Sequence, residues 1–147
     1  MASVIRVVLD TNVVFEGLSD ARGACAQLMD AWLARDIFVP CLSLSVALEY
    51  QHALSKFGRD KRKDALAVLS VLVALAESVE CLVKYRPLSR DAGDDHVIEC
   101  VMNAGAALCT RNTKDFEAAA LDLGFDLYDP EQLASKLRLH LEEPWDE

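Results

Sequence analysis

Apolar and polar positions follow one another along this chain in two rhythms. Short runs rich in β-branched residues mark strands, and longer stretches with apolar residues three and four apart mark helices. Val4-Ile5-Arg6-Val7-Val8-Leu9 predicts a buried strand ending at Asp10. Ala24 to Ala34 has helical spacing, with Leu28 and Trp32 on its apolar stripe. Ile37-Phe38-Val39-Pro40 predicts a second strand, and Leu44 to Phe57 a helix that Ser43 or Ser45 can cap. Asp60 to Ser78 predicts a long amphipathic helix with Ala65, Leu69, Leu72 and Ala76 on one face. A third strand is expected at Cys81-Leu82-Val83-Lys84-Tyr85. Asp94 to Ala104 predicts a helix with Val97, Ile98 and Val101 inward, followed by a fourth strand from Ala106 to Thr110. Asp115 to Leu123 predicts a short helix and Phe125 to Tyr128 a fifth strand. The last helix opens with Asp129 as N-cap, Pro130 at the first helical position and Gln132 where a capping box wants Glu or Gln. Leu133, Leu137 and Leu141 repeat along it, and Glu142 to Glu147 is an acidic tail without periodicity.

Strands separated by helices need crossover connections, which builds a mainly parallel sheet covered on both faces. No repeat or linker divides the chain. The expectation is one three-layer α/β/α domain over residues 1–147 with about five strands.

Composition narrows this picture. Of the 147 residues, 52 % are hydrophobic, which favours a packed core over disorder. No apolar run approaches the roughly 20 residues that span a bilayer. The first residues lack a basic segment followed by a long apolar stretch, so a cytoplasmic protein is expected. The five cysteines, Cys25, Cys41, Cys81, Cys100 and Cys109, are odd in number and show no zinc-ligand spacing. They read as buried free thiols in a reducing compartment. The net charge of −9 repels a phosphate backbone on average. An acidic metal site reverses that field locally, and an acidic surface also suits a basic protein partner.

Candidate chemistry lies at the strand ends, where open α/β sheets bind ligands. The first strand delivers Asp10-Thr11-Asn12. The third is followed by Arg90-Asp91-Ala92-Gly93-Asp94-Asp95, and the fourth by Thr110-Arg111-Asn112-Thr113-Lys114-Asp115. Glu49 is a further acid inside an apolar helical stretch. Carboxylates converging on one edge suit hard divalent ions, which prefer oxygen ligands, and so suit metal-assisted phosphodiester hydrolysis. Singly, each residue has a plainer reading. Asp10 and Asn112 are turn residues, Glu49 a solvated flank, Asp94 and Asp95 a helix start, and Asp115 a cap. Only their convergence argues for a site.

With these residues in hand, the chain resembles the PIN-domain family, in particular the branch of toxin (VapC-like) components of toxin–antitoxin pairs. The resemblance is carried by Val7-Val8-Leu9-Asp10-Thr11-Asn12-Val13, Ser45-Val46-Ala47-Leu48-Glu49-Tyr50, Asp94-Asp95-His96-Val97-Ile98-Glu99-Cys100 and Cys109-Thr110-Arg111-Asn112-Thr113-Lys114-Asp115-Phe116. It implies a ribonuclease with Mg²⁺ or Mn²⁺ held by Asp10, Glu49, Asp94 and Asp115. Thr11 corresponds to the small hydroxyl beside the first acid. Asn112 corresponds to a rim residue that is acidic in some members, which leaves one or two metal ions open. Asn12 and Arg111 belong to the same rim, with Arg111 and Lys114 as phosphate guides. The basic cluster of Lys56, Arg59, Lys61, Arg62 and Lys63 is either a guide for the backbone or a charged helix start interleaved with Asp60 and Asp64, and His52, His96 and His140 read as isolated surface or half-buried residues. An RNA substrate, an antitoxin partner and a homodimer are the expected partners.

Asp91, Asp94 and Asp95 compete for the third acidic position. Val97 and Ile98 face the core, and the residue three to four positions earlier is Asp94. Asp95 is rotated from it by about 100° and is expected to lean toward solvent or the helix amides. Two other classes compete. An aspartyl-phosphate phosphatase wants an acid two positions after the first, where Asn12 stands, and no Gly-rich phosphate loop is present. A PIN-like module that binds RNA or protein without cutting, or an RNA-processing nuclease with no antitoxin, are the remaining alternatives.

Overall fold

The computed structural model describes residues 4–83 and 95–138. The described residues form five strands and seven helices in the order β1 (Arg6–Leu9), α1 (Thr11–Ser19), α2 (Ala24–Ala34), β2 (Val39–Leu42), α3 (Leu44–Leu54), α4 (Arg59–Leu75), β3 (Glu77–Ser78), α5 (Asp95–Ala104), β4 (Ala107–Cys109), α6 (Thr113–Leu123), β5 (Leu127–Tyr128) and α7 (Pro130–Lys136). The sheet is parallel throughout, with strand order β3-β2-β1-β4-β5. This is the α/β architecture that the alternating patterns predict.

β1 is the central strand, and Val7, Val8 and Leu9 are buried on both faces, as a parallel strand under helices requires. α5 packs on β1, β2 and β4, and also meets α3. α1 lies against α2 so closely that a Cβ at Gly17 would sit 2.7 Å from the Cys25 carbonyl oxygen. Trp32 is buried on α2 and donates its indole N–H to the Leu72 carbonyl at 3.0 Å, tying α2 to α4. Ser43 caps α3, accepting from the Val46 N–H at 3.2 Å. Asp129 and Gln132 form the expected capping box at α7, with Pro130 at its start.

Two elements differ from the sequence expectation. Thr11–Ser19 is a helix, where the Asp-Thr-Asn run reads as a turn. Val13, Val14 and Gly17 all have modest helix propensity, and burial of Val13 and Val14 overrides it. The third strand is Glu77–Ser78, and Cys81 to Val83, the described part of the expected strand, is not in one. α4 therefore ends at Leu75, short of Ser78. β3 is an edge strand of two exposed residues paired with Cys41 and Leu42, so it carries no apolar signature to read. Residues 84–85 of the expected strand lie outside the described residues, as do Leu141 and the acidic tail.

Candidate active site

The chain runs outward from β1 through β2 to β3, then returns to the other side of β1 with β4 and β5. The strand order reverses between β1 and β4, and a crevice opens outside the carboxyl ends of strands at such a point. Asp10 immediately follows β1, and Thr110 immediately follows β4. These two residues make the floor of the site.

Asp10 is the N-cap of α1, and only 8 % of its surface is exposed. Its Oδ1 accepts the Thr11 N–H at 2.8 Å. Its Oδ2 accepts the Thr110 hydroxyl at 2.7 Å and, more weakly, the Asn12 amide at 3.4 Å. Thr110 is fully buried, and its oxygen in turn accepts the Asn112 N–H at 3.1 Å. Asn12 accepts the Arg111 N–H at 3.1 Å. Two loops thereby close on each other through side chains, and the carboxylate of Asp10 has a set direction.

Burial pushes the Asp10 carboxyl above the ordinary aspartate range; the Thr110 and Thr11 donors oppose the rise, and the negative charge of Asp115 adds to it. Burial makes the charged form of this carboxyl costly. Its folded form binds the proton more tightly than the unfolded chain does. The resulting stability penalty is absent below the ordinary aspartate pKa, grows as pH rises through the raised value, and is complete above it.

A cleft of about 810 Å³ opens over this floor. Asp10, Thr11, Asn12, Glu49 and Asn112, all expected at the site, line it together. Glu49 is half-buried on α3, next to Tyr50, which is fully buried and donates its hydroxyl to the Leu9 carbonyl at the end of β1. That bond holds α3 against the strand and brings Glu49 to the same opening as Asp10. Asp115 lies in the first turn of α6, exposed, and is felt by Asp10 through its charge. Asp94 and Asp91 lie outside the described residues.

Two expectations meet a different geometry. Asp95, expected toward solvent or the helix amides, is buried, with 6 % exposed, which removes the first of these. From Asp95 to Val101 every residue except His96 is buried, because α5 is enclosed by the sheet and α3. A helix covered nearly all round has no single inward stripe, so facing rules from Val97 and Ile98 do not discriminate among its neighbours. Arg111, expected as a phosphate guide, is already paired with two carboxylates. Its guanidinium is bidentate to Glu16, at 2.9 and 2.7 Å, and also reaches both oxygens of Glu131, at 2.6 and 2.8 Å. These contacts raise its pKa and lower that of Glu16, and they tie α1 to α7 through the β4–α6 loop.

Other residues at the site lie outside the expected acidic set and its rim. Thr110 stands in the same place after β4 as Asp10 does after β1, and that symmetry was its signal. Phe15, Glu16, His52 and Lys56 also line the cleft. Glu49, His52 and Lys56 recur at three- and four-residue spacing, the helical face on which Glu49 was already a candidate.

The donors suit a hard divalent ion. Asp10 and Glu49 present carboxylate oxygens, and the buried Thr11 hydroxyl beside them has no hydrogen-bond partner among the described residues. Among the described residues no three acidic, histidine or cysteine side chains are close enough together to hold a metal unaided. The cysteines are free, and Cys25, Cys41, Cys100 and Cys109 are buried. Burial pushes the Cys25 and Cys100 thiols up to about 12, which keeps them protonated and inert.

The family model of the PIN domain matches residues 6–114, about three-quarters of the chain and every strand up to β4. This chain belongs to the PIN domain family. Its fold is similar to that of VapBC2 from Rickettsia felis bound to a DNA fragment from their promoter, with TM-score 0.62 at 16 % identity, covering 85 % of this chain and 98 % of that one. It is also similar to FitAB bound to an IR36 DNA fragment (0.62, 17 %, covering 95 % and 99 %) and to FitAcB from Neisseria gonorrhoeae (0.58, 17 %, covering 85 % and 98 %). No curated protein sequence matches it. Among the described residues no helix is long and apolar enough to cross a membrane.

Proposed function

We propose that this protein is a divalent-metal-dependent endoribonuclease, the toxin component of a toxin–antitoxin pair. The observation that carries the reading is Asp10: a buried carboxylate at the strand-order reversal, raised by its surroundings, opening with Glu49 into one cleft. Neutralising that site by protonation or by a cation relieves the same penalty, and at neutral pH a cation does it. Asp10, Glu49, Asp94 and Asp115 are the proposed holders of Mg²⁺ or Mn²⁺. Such an ion supplies a bound water of lowered pKa and neutralises charge on the phosphate.

The chain's own residues do the positioning. Thr110 and the Thr11 N–H hold the two oxygens of Asp10 in place. Asn12 and Asn112 shape the rim, and the Tyr50 bond keeps Glu49 opposite Asp10. No side chain acts as a covalent nucleophile. A protein partner accords with the fold neighbours, whose names describe two-component assemblies on DNA. We propose that an antitoxin occludes the cleft with a basic side chain, which the acidic floor attracts. A homodimer would set two such clefts along one surface for a long RNA. Buried protonated thiols fit a reducing cytoplasm.

The test is direct. Mg²⁺ or Mn²⁺ at 100 times its dissociation constant should stabilise the protein by about 2.7 kcal/mol, and RNA should be cut only in its presence. Calorimetry without divalent binding at millimolar concentration overturns the metal site. Binding without cleavage favours a non-catalytic RNA- or protein-binding module. Paired assays decide the third acid: Asp94→Asn is expected to abolish cleavage and Asp95→Asn to retain measurable activity.

A further inference from the structure

Moving away from the acidic floor, the cleft changes character. One wall is α1, which presents Thr11 and Asn12 and then, one turn on, Phe15. The other is α3, which presents Leu48 and Glu49 and then Ala53, with Lys56 in the turn just past its end. The Phe15 ring is braced from behind. Its centroid lies 4.6 Å from that of Phe57, and Lys61 sits over Phe57 at 5.2 Å while bonding the Ser19 carbonyl at 2.8 Å. Phe15 is a half-buried aromatic surface with little freedom to move. Lys56 is exposed, is the one lysine or arginine among the described residues lining this cleft, and its ammonium has no hydrogen-bond or ion-pair partner among them. It lies beyond the last turn of α3 and lines the same cleft as Glu49.

We infer that Phe15 and Lys56 form a nucleotide subsite: an unpaired base stacks on Phe15 between Leu48 and Ala53, and a flanking phosphate meets Lys56. This deepens the nuclease reading and rests on it, by assigning two residues of the cleft to one unpaired nucleotide. The chemistry selects that occupant. A fixed aromatic face takes any unstacked base, whereas a duplex keeps its bases paired within its own stack. In a protein of net charge −9, a single unpaired lysine beside an apolar platform complements one phosphate rather than a long backbone track. The subsite lies beside the acidic floor, so a strand held there passes over Asp10 and Glu49.

The test measures binding apart from cleavage. A short fluorescein-labelled single strand and the blunt duplex of the same sequence are titrated by anisotropy in EDTA, and cleavage is followed separately in Mn²⁺. Phe15→Leu should weaken single-strand binding about tenfold, and Phe15→Trp should restore it. Lys56→Ala should reduce the slope of log affinity against log salt by about 0.7, one phosphate contact on a single strand. Both variants should leave the weaker duplex binding unchanged. The inference is overturned if neither variant alters single-strand binding, or if the duplex binds as tightly as the single strand and loses as much. If the wild type then cuts RNA in Mn²⁺, the nuclease reading survives that failure. If both variants behave as expected but the wild type cuts nothing in Mn²⁺, the subsite stands and catalysis falls. Lys56 is exposed, so its variant keeps the test decisive even if Phe15→Leu melts early.

Discussion

Two clefts open at opposite ends of the sheet, and their polar groups are employed differently. The cleft at the amino ends of β1 and β4, about 450 Å³, is lined by Arg6, Met102, Ala106, Phe125 and neighbours. Of the charged residues lining it, Arg6 is spent on the fold: it donates to the Ala104 carbonyl at 2.9 Å and pairs with Glu77 on the edge strand. The larger cleft at the carboxyl ends holds a buried carboxylate whose surroundings raise it and a buried Thr11 hydroxyl that no described residue bonds. Polar groups that serve the fold find partners within it. Groups that cost the fold stability point to something bound there. The asymmetry follows from β-strand direction, since only the carboxyl ends feed into helix starts, where a capping acid and its N–H groups face the opening.

Substitutions at the two ends should therefore separate activity from stability. The largest effect is expected at the upper floor, where Asp10→Asn or Glu49→Gln should lower RNA cleavage by at least about 100-fold. Met102→Leu in the lower cleft should leave the rate unchanged, as gel-based cleavage assays on folded protein would reveal. An equal loss at both ends would abolish the distinction. Next comes Thr110. Thr110→Val removes the donor to Asp10 Oδ2 and leaves the Asn112 N–H without its acceptor. Activity should fall about 10- to 100-fold and stability by about 1–3 kcal/mol, while Thr110→Ser restores cleavage; urea melts run beside the kinetics would separate the two.

A smaller effect is expected at Arg111. Arg111→Lys keeps the charge but loses the bidentate grip on Glu16, and should cost about 1 kcal/mol in thermal melts. The Glu16 carboxyl, held low by Arg111, contributes stability above its ordinary pKa and loses it as pH falls through the lowered value. The variant's deficit should shrink on acidification. The subtlest expectation concerns Asp10 without metal. Above the ordinary aspartate range its raised carboxyl weakens the fold, so Asp10→Asn should melt higher than wild type at neutral pH in EDTA. That gain should fade as the pH approaches 4 or so and disappear in saturating Mn²⁺. A wild type that melts higher than Asp10→Asn in EDTA would remove the electrostatic contrast between the clefts.

Much of this protein was legible before any coordinates. The parallel α/β architecture, the α2 limits at Ala24 and Ala34, the α7 capping box and the convergence of Asp10 and Glu49 all follow from local patterns. Each rests on a signal written within a few residues: apolar period, cap chemistry, or the rule that ligands lie at carboxyl strand ends. What those signals could not carry was decided by neighbours distant in sequence. β3 exists because Cys41 and Leu42 offer a free edge, not because Glu77 and Ser78 favour strands. α1 forms because Val13 and Val14 find the core. Asp95 is buried because α5 is enclosed on several sides at once. Arg111 is held by two carboxylates because Glu16 and Glu131, 95 and 20 residues away, converge on it. Local patterning determines which segments are strands and helices and where a site can open. Only packing across the sheet determines which charged side chains are spent on the fold and which are left facing the cleft, because that depends on contacts no short stretch of sequence contains.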